Sequence, residues 1–266
     1  MTLSTASFEA VTAMFARVSG IRLSPAKKPL VEGRLQRMAQ DAGHTRLDDY
    51  VHALLEAADP KELTRVVDKL TTNETYFFRE PEHFDHLQQV LRNQAPGGAL
   101  RVWSAASSSG EEAYSIAMLL AEELGRRDWS VIGTDLSTSV VQQARRALYP
   151  MERARNLPQA LLKRYCLRGE GDYAGQLLIQ RALRERVSFR CANLMQEMPR
   201  DLGQFDIIFL RNVLIYFDPP GKAKIVRRVL AHLKPDGLLY TGHAESLANL
   251  ELPVRSVAPA VYTHGG

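Results

Sequence analysis

The run RVWSAASSSGEEAYSIAMLL at 101–120 constrains this chain more than any other stretch, because it sets a β-type segment, a turn of small residues and a helix start in immediate succession. That is the opening unit of an open α/β sheet. The pattern then continues in the same sense. Short β runs are expected at Leu100 to Ser104, Ser130 to Thr134, Val187 to Arg190, Phe205 to Leu210 and Gly237 to Thr241, with helices at Glu111 to Leu124, Ser137 to Leu148 and Asp218 to Leu233. The order βαβαβ predicts an α/β fold with a mostly parallel, doubly wound, Rossmann-like sheet and a ligand at the carboxyl ends of its strands. One stretch breaks the alternation. Residues 167–183, LRGEGDYAGQLLIQRAL, carry three glycines beside a β-like run and predict a small antiparallel insert, for which a plain surface hairpin is the simpler reading.

Ahead of residue 71 there is no strand signal, and four amphipathic helices are expected. Ser7 is the expected cap of the first, with Phe8, Val11, Phe15 and Val18 on one face. Ser24-Pro25 opens the second, which carries Leu30, Leu35, Met38 and Ala42 before Gly43. Leu47, Tyr50, Val51 and Leu54 mark the third. Asp59-Pro60 with Glu62 starts the fourth, over Leu63, Val66, Val67 and Leu70. The expected organisation is therefore an all-helical domain at 1–70, a linker with a helix from about Pro81 to Asn93 at 71–95, and a sheet domain at 96–266 entered through the turn Pro96-Gly97-Gly98.

Composition narrows the function classes. With 266 residues, 45% of them hydrophobic, the chain can fill one large and one small core. No apolar run approaches the roughly 20 residues of a membrane span, and MTLSTASFEA has no signal-peptide pattern, so a cytoplasmic protein without membrane insertion is expected. Cys166 and Cys191 are too few for a disulfide framework or a zinc cluster and are expected as half-buried packing residues; no metal is expected. A net charge of +4 does not announce a nucleic-acid binder. Its distribution is uneven, however. Arg17, Arg22, Lys27, Lys28, Arg34 and Arg37 face only Glu32 in their interval, which makes either a docking surface for an acidic partner or a solvated helix face.

The small-residue loop has nucleotide-site geometry without the dinucleotide fingerprint. Ala105, Ser107, Ser109 and Gly110 let a ligand approach the backbone, but A-x-S-S-S-G replaces G-x-G-x-x-G. Glu111 and Glu112 open the following helix, where a pyrophosphate would meet carboxylates. S-adenosylmethionine fits better, since it lacks phosphate and carries a sulfonium and an ammonium group. Asp135 ends the second β run about 25 residues after the loop, where it can accept from both ribose hydroxyls or serve as a helix N-cap beside Ser137.

The runs LTTNETYFFRE at 70–80, RVWSAASSSGEEAYSIAM at 101–118, FDIIFLRNVLIYFD at 205–218 and LKPDGLLYTGHAESL at 233–247 together resemble the chemotaxis receptor glutamate O-methyltransferases, the CheR family. The resemblance spans nearly the whole chain in order. It implies transfer of a methyl group from S-adenosylmethionine to glutamate carboxylates of methyl-accepting chemotaxis receptors, leaving S-adenosylhomocysteine, by a monomeric enzyme. By the same resemblance Asn73, Thr75, Arg79, Glu112, Asp135, Asn193, Leu194, Asn212 and Val213 match cofactor-contacting positions. Asn193 alone would be read as a turn residue. Arg79 and Tyr216 are the expected catalytic residues, orienting the acceptor carboxylate, although Arg79 could equally bind the cofactor carboxylate. The resemblance gives the basic residues Lys27, Lys28, Arg34 and Arg37 a receptor helix to bind. It also implies, through Gly169 and Gly171 in RGEGDYAG, a tether site for a receptor C-terminal pentapeptide. The serines of SSSG depart slightly from the family, where a threonine is frequent. The alternatives are a methyltransferase with another acceptor and a non-catalytic receptor adaptor.

Overall fold

The computed structural model describes residues 1–93 and 98–265, so the expected turn at Pro96-Gly97 lies outside the described residues. The chain forms two compact units. One holds Met1–Thr72 with Tyr216–Gly221, and the other Asn73–Ile215 with Lys222–Gly266.

The first unit is built from α1 (Thr5–Ser19), α2 (Lys28–Asp41), α3 (Leu47–Ala57) and α4 (Pro60–Leu70). Ser4, and not Ser7, caps α1: its hydroxyl accepts the Ser7 N–H at 3.1 Å. Phe8, Val11 and Phe15 are buried with Met14, whereas Val18 in the last turn is exposed. In α2 the buried stripe is Val31, Leu35, Met38 and Ala39. Ser24-Pro25 opens a 3₁₀ turn at Pro25–Lys27, so α2 begins later than expected, and Leu30 lies one residue, or about 100°, off the stripe. Leu47, Tyr50, Val51 and Leu54 of α3 are all buried. Asp59 caps α4, whose buried residues are Val66, Val67 and Leu70.

The second unit carries a seven-stranded sheet. Its strands are β1 (Leu100–Ala105), β2 (Trp129–Asp135), β6 (Val187–Cys191), β7 (Phe205–Leu210), β8 (Leu233–Thr241), β9 (Val254–Ala258) and β10 (Val261–His264), in the order β6-β2-β1-β7-β8-β10-β9. The first five are parallel and the last two antiparallel. Helices α5 (Pro81–Asn93), α6 (Glu111–Leu124), α7 (Thr138–Arg146), α8 (Gln159–Tyr165), α9 (Arg181–Arg184) and α10 (Pro219–Leu230) complete the elements. The expected Rossmann-like sheet is thus present, with an antiparallel edge that had no clear signal in the sequence. Strand order reverses at β1, which has β2 on one side and β7 on the other, and that crevice is where open α/β sheets bind ligands.

Between α7 and β6 lies a second, three-stranded antiparallel sheet of order β3-β5-β4, from Leu148–Pro150, Gln176–Ile179 and Cys166–Arg168. It therefore starts well before residue 167. The helix expected to reach Leu148 ends at Arg146 because Ala147 turns left-handed (φ 56°), and Leu148 then pairs with Leu178. Cys166 is half-buried, but Cys191 is exposed, at the end of β6. No helix among the described residues is long and apolar enough to cross a membrane.

Close packing at the crevice makes one glycine indispensable. A Cβ on Gly133 in β2 would lie 2.5 Å from the Phe189 ring and 2.8 Å from Ser107 Oγ, whereas one on Gly33 in α2 would meet nothing within 4 Å. Gly133→Ala is expected to destabilise the protein by about 1–3 kcal/mol. Gly33→Ala is expected to stabilise it by about 0.5–1 kcal/mol. Urea denaturation of both variants checks this, and equal midpoints would contradict it.

Candidate active site

Three loops of the second unit meet at the crevice: residues 106–110 after β1, residues 211–215 after β7, and the segment 73–80 ahead of α5. Nine non-glycine residues among those described have positive φ, and five of them, Phe78, Glu80, Ala106, Ser108 and Asn212, lie in these loops. Backbone in that region costs of order 1–3 kcal/mol per residue and persists only where surrounding structure over-determines it, as functional sites do.

The attachments of the segment 73–80 supply that determination. The Ser108 hydroxyl donates to the Asn73 carbonyl at 3.3 Å, and the Phe78 N–H donates to Ser115 Oγ at 3.0 Å. Arg153 donates to the Thr75 carbonyl while its own carbonyl accepts the Phe77 N–H at 3.2 Å. Arg211 donates to the Arg79 carbonyl and, at 3.0 Å, to Glu80. Glu80 Oε1 also accepts from Asn212 Nδ2 at 2.9 Å. Thr75 is buried, and the Arg79 guanidinium folds back to donate to the Glu74 carbonyl at 2.8 Å.

The carboxylates divide by environment. Glu111 does not face the loop as its place at the helix start suggested. It is fully buried, accepts from the Ser109 hydroxyl at 2.7 Å and pairs with Arg153 at 3.3 Å. Burial still pushes its pKa up. Glu112 accepts from the Ser104 hydroxyl at 2.7 Å and from Arg211 at 3.0 Å. Asp135, at the end of β2, accepts the backbone N–H groups of Ser108 (2.8 Å) and Ser137 (3.0 Å), which ties the small-residue loop to the next helix start. Ser137 itself is the cap of α7, its hydroxyl accepting from Val140 N–H. Glu245 holds the 211–215 loop through the N–H groups of Asn212 (2.6 Å) and Ile215 (3.2 Å).

Asn212 and Val213 follow β7, half-buried, beside this network. Asn193 sits after β6, its side chain accepting from the Met195 N–H at 2.9 Å as a turn residue would, and Leu194 is buried. Gly169 and Gly171 follow β4 in the second unit, whereas Tyr216, Lys27, Lys28, Arg34 and Arg37 belong to the first. Tyr216 ends a short 3₁₀ turn and is half-buried. Lys27 and Arg37 are exposed and Lys28 half-buried. Arg34 is partly engaged in the fold, donating to the carbonyls of Leu70 (2.7 Å), the last residue of α4, and of Thr71 (3.2 Å) just beyond it.

Glu80, Arg211 and Glu245 had no role in the sequence reading, although Glu80 and Arg211 stand inside the motifs NETYFFRE and LRNVLIYF. An arginine directly after the apolar strand run IIFL was the available signal. Glu80, His83 and His243 also place potential metal-ligand atoms close together. Both Glu80 oxygens are already taken by Asn212 and Arg211, and the guanidinium opposes a second cation there, so the donor set does not fit a metal centre.

His83 makes a separate prediction. Its side chain is 2% exposed, neither ring nitrogen has a hydrogen-bond partner, and Nδ1 lies 3.4 Å from Glu80. Burial, and then the charges of Arg211 and His243, hold its pKa down to about 4, against a weaker opposing pull from Glu80. An unfolded histidine titrates near 6.5. Between those values the unfolded chain binds a proton that the folded one refuses, so stability falls as pH drops from about 6.5 toward 4. On the order of 2 kcal/mol should be lost from this group between pH 7 and pH 5. His83→Leu should flatten the profile in urea titrations at the two values, and an unchanged slope would refute the assignment.

The crevice thus offers oriented carboxylates and carbonyls and no phosphate-binding glycine loop, which suits a cationic nucleoside-type ligand such as S-adenosylmethionine. Comparison with known proteins agrees. Residues 6–71 match the CheR methyltransferase all-alpha domain, and residues 73–262 match the CheR methyltransferase SAM binding domain. A chemotaxis protein methyltransferase of Escherichia coli (strain K12) is 40% identical over 253 residues, covering 94% of this chain and 88% of its own. Chemotaxis protein methyltransferase 2 of Pseudomonas aeruginosa is 40% identical over 259 residues, covering 96% and 92%. The glycopeptide N-methyltransferase MtfA with bound sinefungin is 17% identical, with a TM-score of 0.39 over 72% of this chain and 60% of its own. The chain belongs to the CheR family of S-adenosylmethionine-dependent chemotaxis protein methyltransferases.

Proposed function

We propose that this enzyme esterifies glutamate side chains on the cytoplasmic helices of chemoreceptors, working in the cytoplasm as a monomer. The observation that carries the reading is the convergence of five strained backbone positions and the Glu112 and Asp135 carboxylates at the sheet's switch point. The cofactor supplies an electrophilic methyl group on a sulfonium. Asp135, oriented by two backbone N–H groups, accepts from the ribose hydroxyls, and Glu112 faces the ammonium group. Asn73, Thr75, Asn193 and Asn212 hydrogen-bond the remaining cofactor polar atoms, and Leu194 and Val213 wall the base. The acceptor carboxylate is already an anion at neutral pH and needs no general base. Arg79 orients it, so that rate comes from positioning and exclusion of water.

Docking has two parts. Lys27, Lys28, Arg34 and Arg37 attract an acidic receptor helix, with Arg34 also closing α4. The small sheet takes a receptor C-terminal pentapeptide in a groove beside its edge strand β4, walled by Met151, Leu162, Leu167 and Leu177, with Lys163 and Arg168 for its carboxylate. Gly169 and Gly171 shape this site without needing to touch the peptide. A Cβ on Gly169 would stand 2.0 Å from the Tyr173 carbonyl oxygen, and Gly171 has φ +56°.

The test is methyl transfer from labelled S-adenosylmethionine to receptor membranes. Base-labile label is expected, lost when receptor glutamates become alanine and reduced about tenfold or more by Asp135→Asn, which weakens a charge-assisted hydrogen bond. Label on glutamate-free receptors would overturn the acceptor. A pentapeptide ending in an aromatic residue should bind the wild type and not Arg168→Glu; equal binding would remove the tether.

A further inference from the structure

Arg211 stands directly after β7, its side chain 1% exposed. Nη1 donates to Glu112 Oε2 at 3.0 Å, and Nη2 donates to Glu80 Oε2 at 3.0 Å and to the Arg79 carbonyl. The guanidinium lies over the rings of Phe84 and Phe209, at 5.6 and 6.0 Å. The other Glu112 oxygen accepts from Ser104. Two donors from β1 and from the end of β7 therefore fix the plane of the Glu112 carboxylate at the start of α6. We propose that Arg211 is a positioning residue for the cofactor, holding Glu112 in place and in its charged form for the ammonium group of the methionine end. This rests on the reading of Glu112 as a cofactor ligand.

The electrostatics support the geometry. Burial first, with a smaller push from Glu80, leaves the Glu112 pKa above the ordinary carboxylate value, and Arg211, then Ser104, limits that rise. Around this set, His83 of α5 stands 3.4 Å from Glu80, and the His243 N–H after β8 points to the same carboxylate. Arg211 is the one full positive charge in direct contact with Glu112 among the described residues. Without it the buried glutamate shifts further toward its neutral acid, which no longer balances an ammonium group.

The experiment is calorimetric titration with S-adenosylhomocysteine from pH 6 to 9 on the full chain and its Glu112→Gln, Arg211→Met and Arg211→Lys variants. Each affinity is divided by the wild-type value at the same pH, which cancels the ligand's own titration. Arg211→Met should bind about ten- to a hundredfold more weakly at pH 6. That gap should close toward pH 9, as Glu112 ionises unaided. Arg211→Lys should keep a small gap at every pH, and Arg211→Met in a Glu112→Gln background should show no pH-dependent gap relative to Glu112→Gln alone. A gap for Arg211→Met that is absent or independent of pH overturns the proposal. Wild-type-like binding by Glu112→Gln instead removes the underlying assignment of Glu112. Should Arg211→Met not fold, carbon NMR of glutamate-labelled wild type decides, with Glu112 assigned from Glu112→Gln. A carboxyl that stays protonated above about pH 7 in the free enzyme would refute the role of Arg211.

Discussion

The buried guanidinium of Arg211 is the interaction on which the rest of the site depends. It binds Glu80 and Glu112, which lie 131 and 99 residues away in sequence, and closes on the Arg79 carbonyl between them. A buried charge is tolerable only when paired and hydrogen-bonded, and removing one partner of such a set typically costs about 3–5 kcal/mol. The set therefore does more than add stability. It specifies a single position for the segment 73–80 relative to β1 and β7, and it keeps the left-handed backbone at Phe78 and Glu80 from relaxing.

Arg153 does a similar task from the other side of the segment. It grips the Thr75 carbonyl, receives the Phe77 N–H and pairs with the fully buried Glu111. Two arginines from distant parts of the chain thus pin one strap of about eight residues at both ends. Adjacent glutamates at the start of α6 consequently have opposite fates. Glu111 turns inward to Arg153, and Glu112 toward Ser104 and Arg211. The helix geometry separates neighbours by about 100°, enough to send one into the core and leave the other beside the crevice.

Methyl transfer to a carboxylate asks little of acid–base chemistry, and the site has the character such a reaction needs. Its carboxylates Glu112 and Asp135 are held by fixed donors, and the loops are held by side chains such as Arg211 and Glu245 that are themselves buried. In the proposed function the small antiparallel sheet and the basic helical unit would add recognition without altering that chemistry, which is how one methyltransferase sheet can serve a particular class of acceptor.

Much of this was legible in order. The parallel strands β1, β2, β6, β7 and most of β8, the span of α6 and the cap of α4 follow from local patterns: apolar periodicity, small residues before a helix, an aspartate before a proline. The misread places were also local contests. Ser4 outcompeted Ser7 as a cap, Leu148 left its helix for a strand partner in β5, and Val31 displaced Leu30 from the buried stripe. By itself the sequence determined the fold class, the switch-point loop, the family and the residues expected at the cofactor. Only the tertiary structure decided which carboxylate meets which guanidinium, because the strand order β2-β1-β7-β8 brings together groups 99 and 131 residues apart. A side chain's sequence neighbours carry no record of the partner that waits across the sheet.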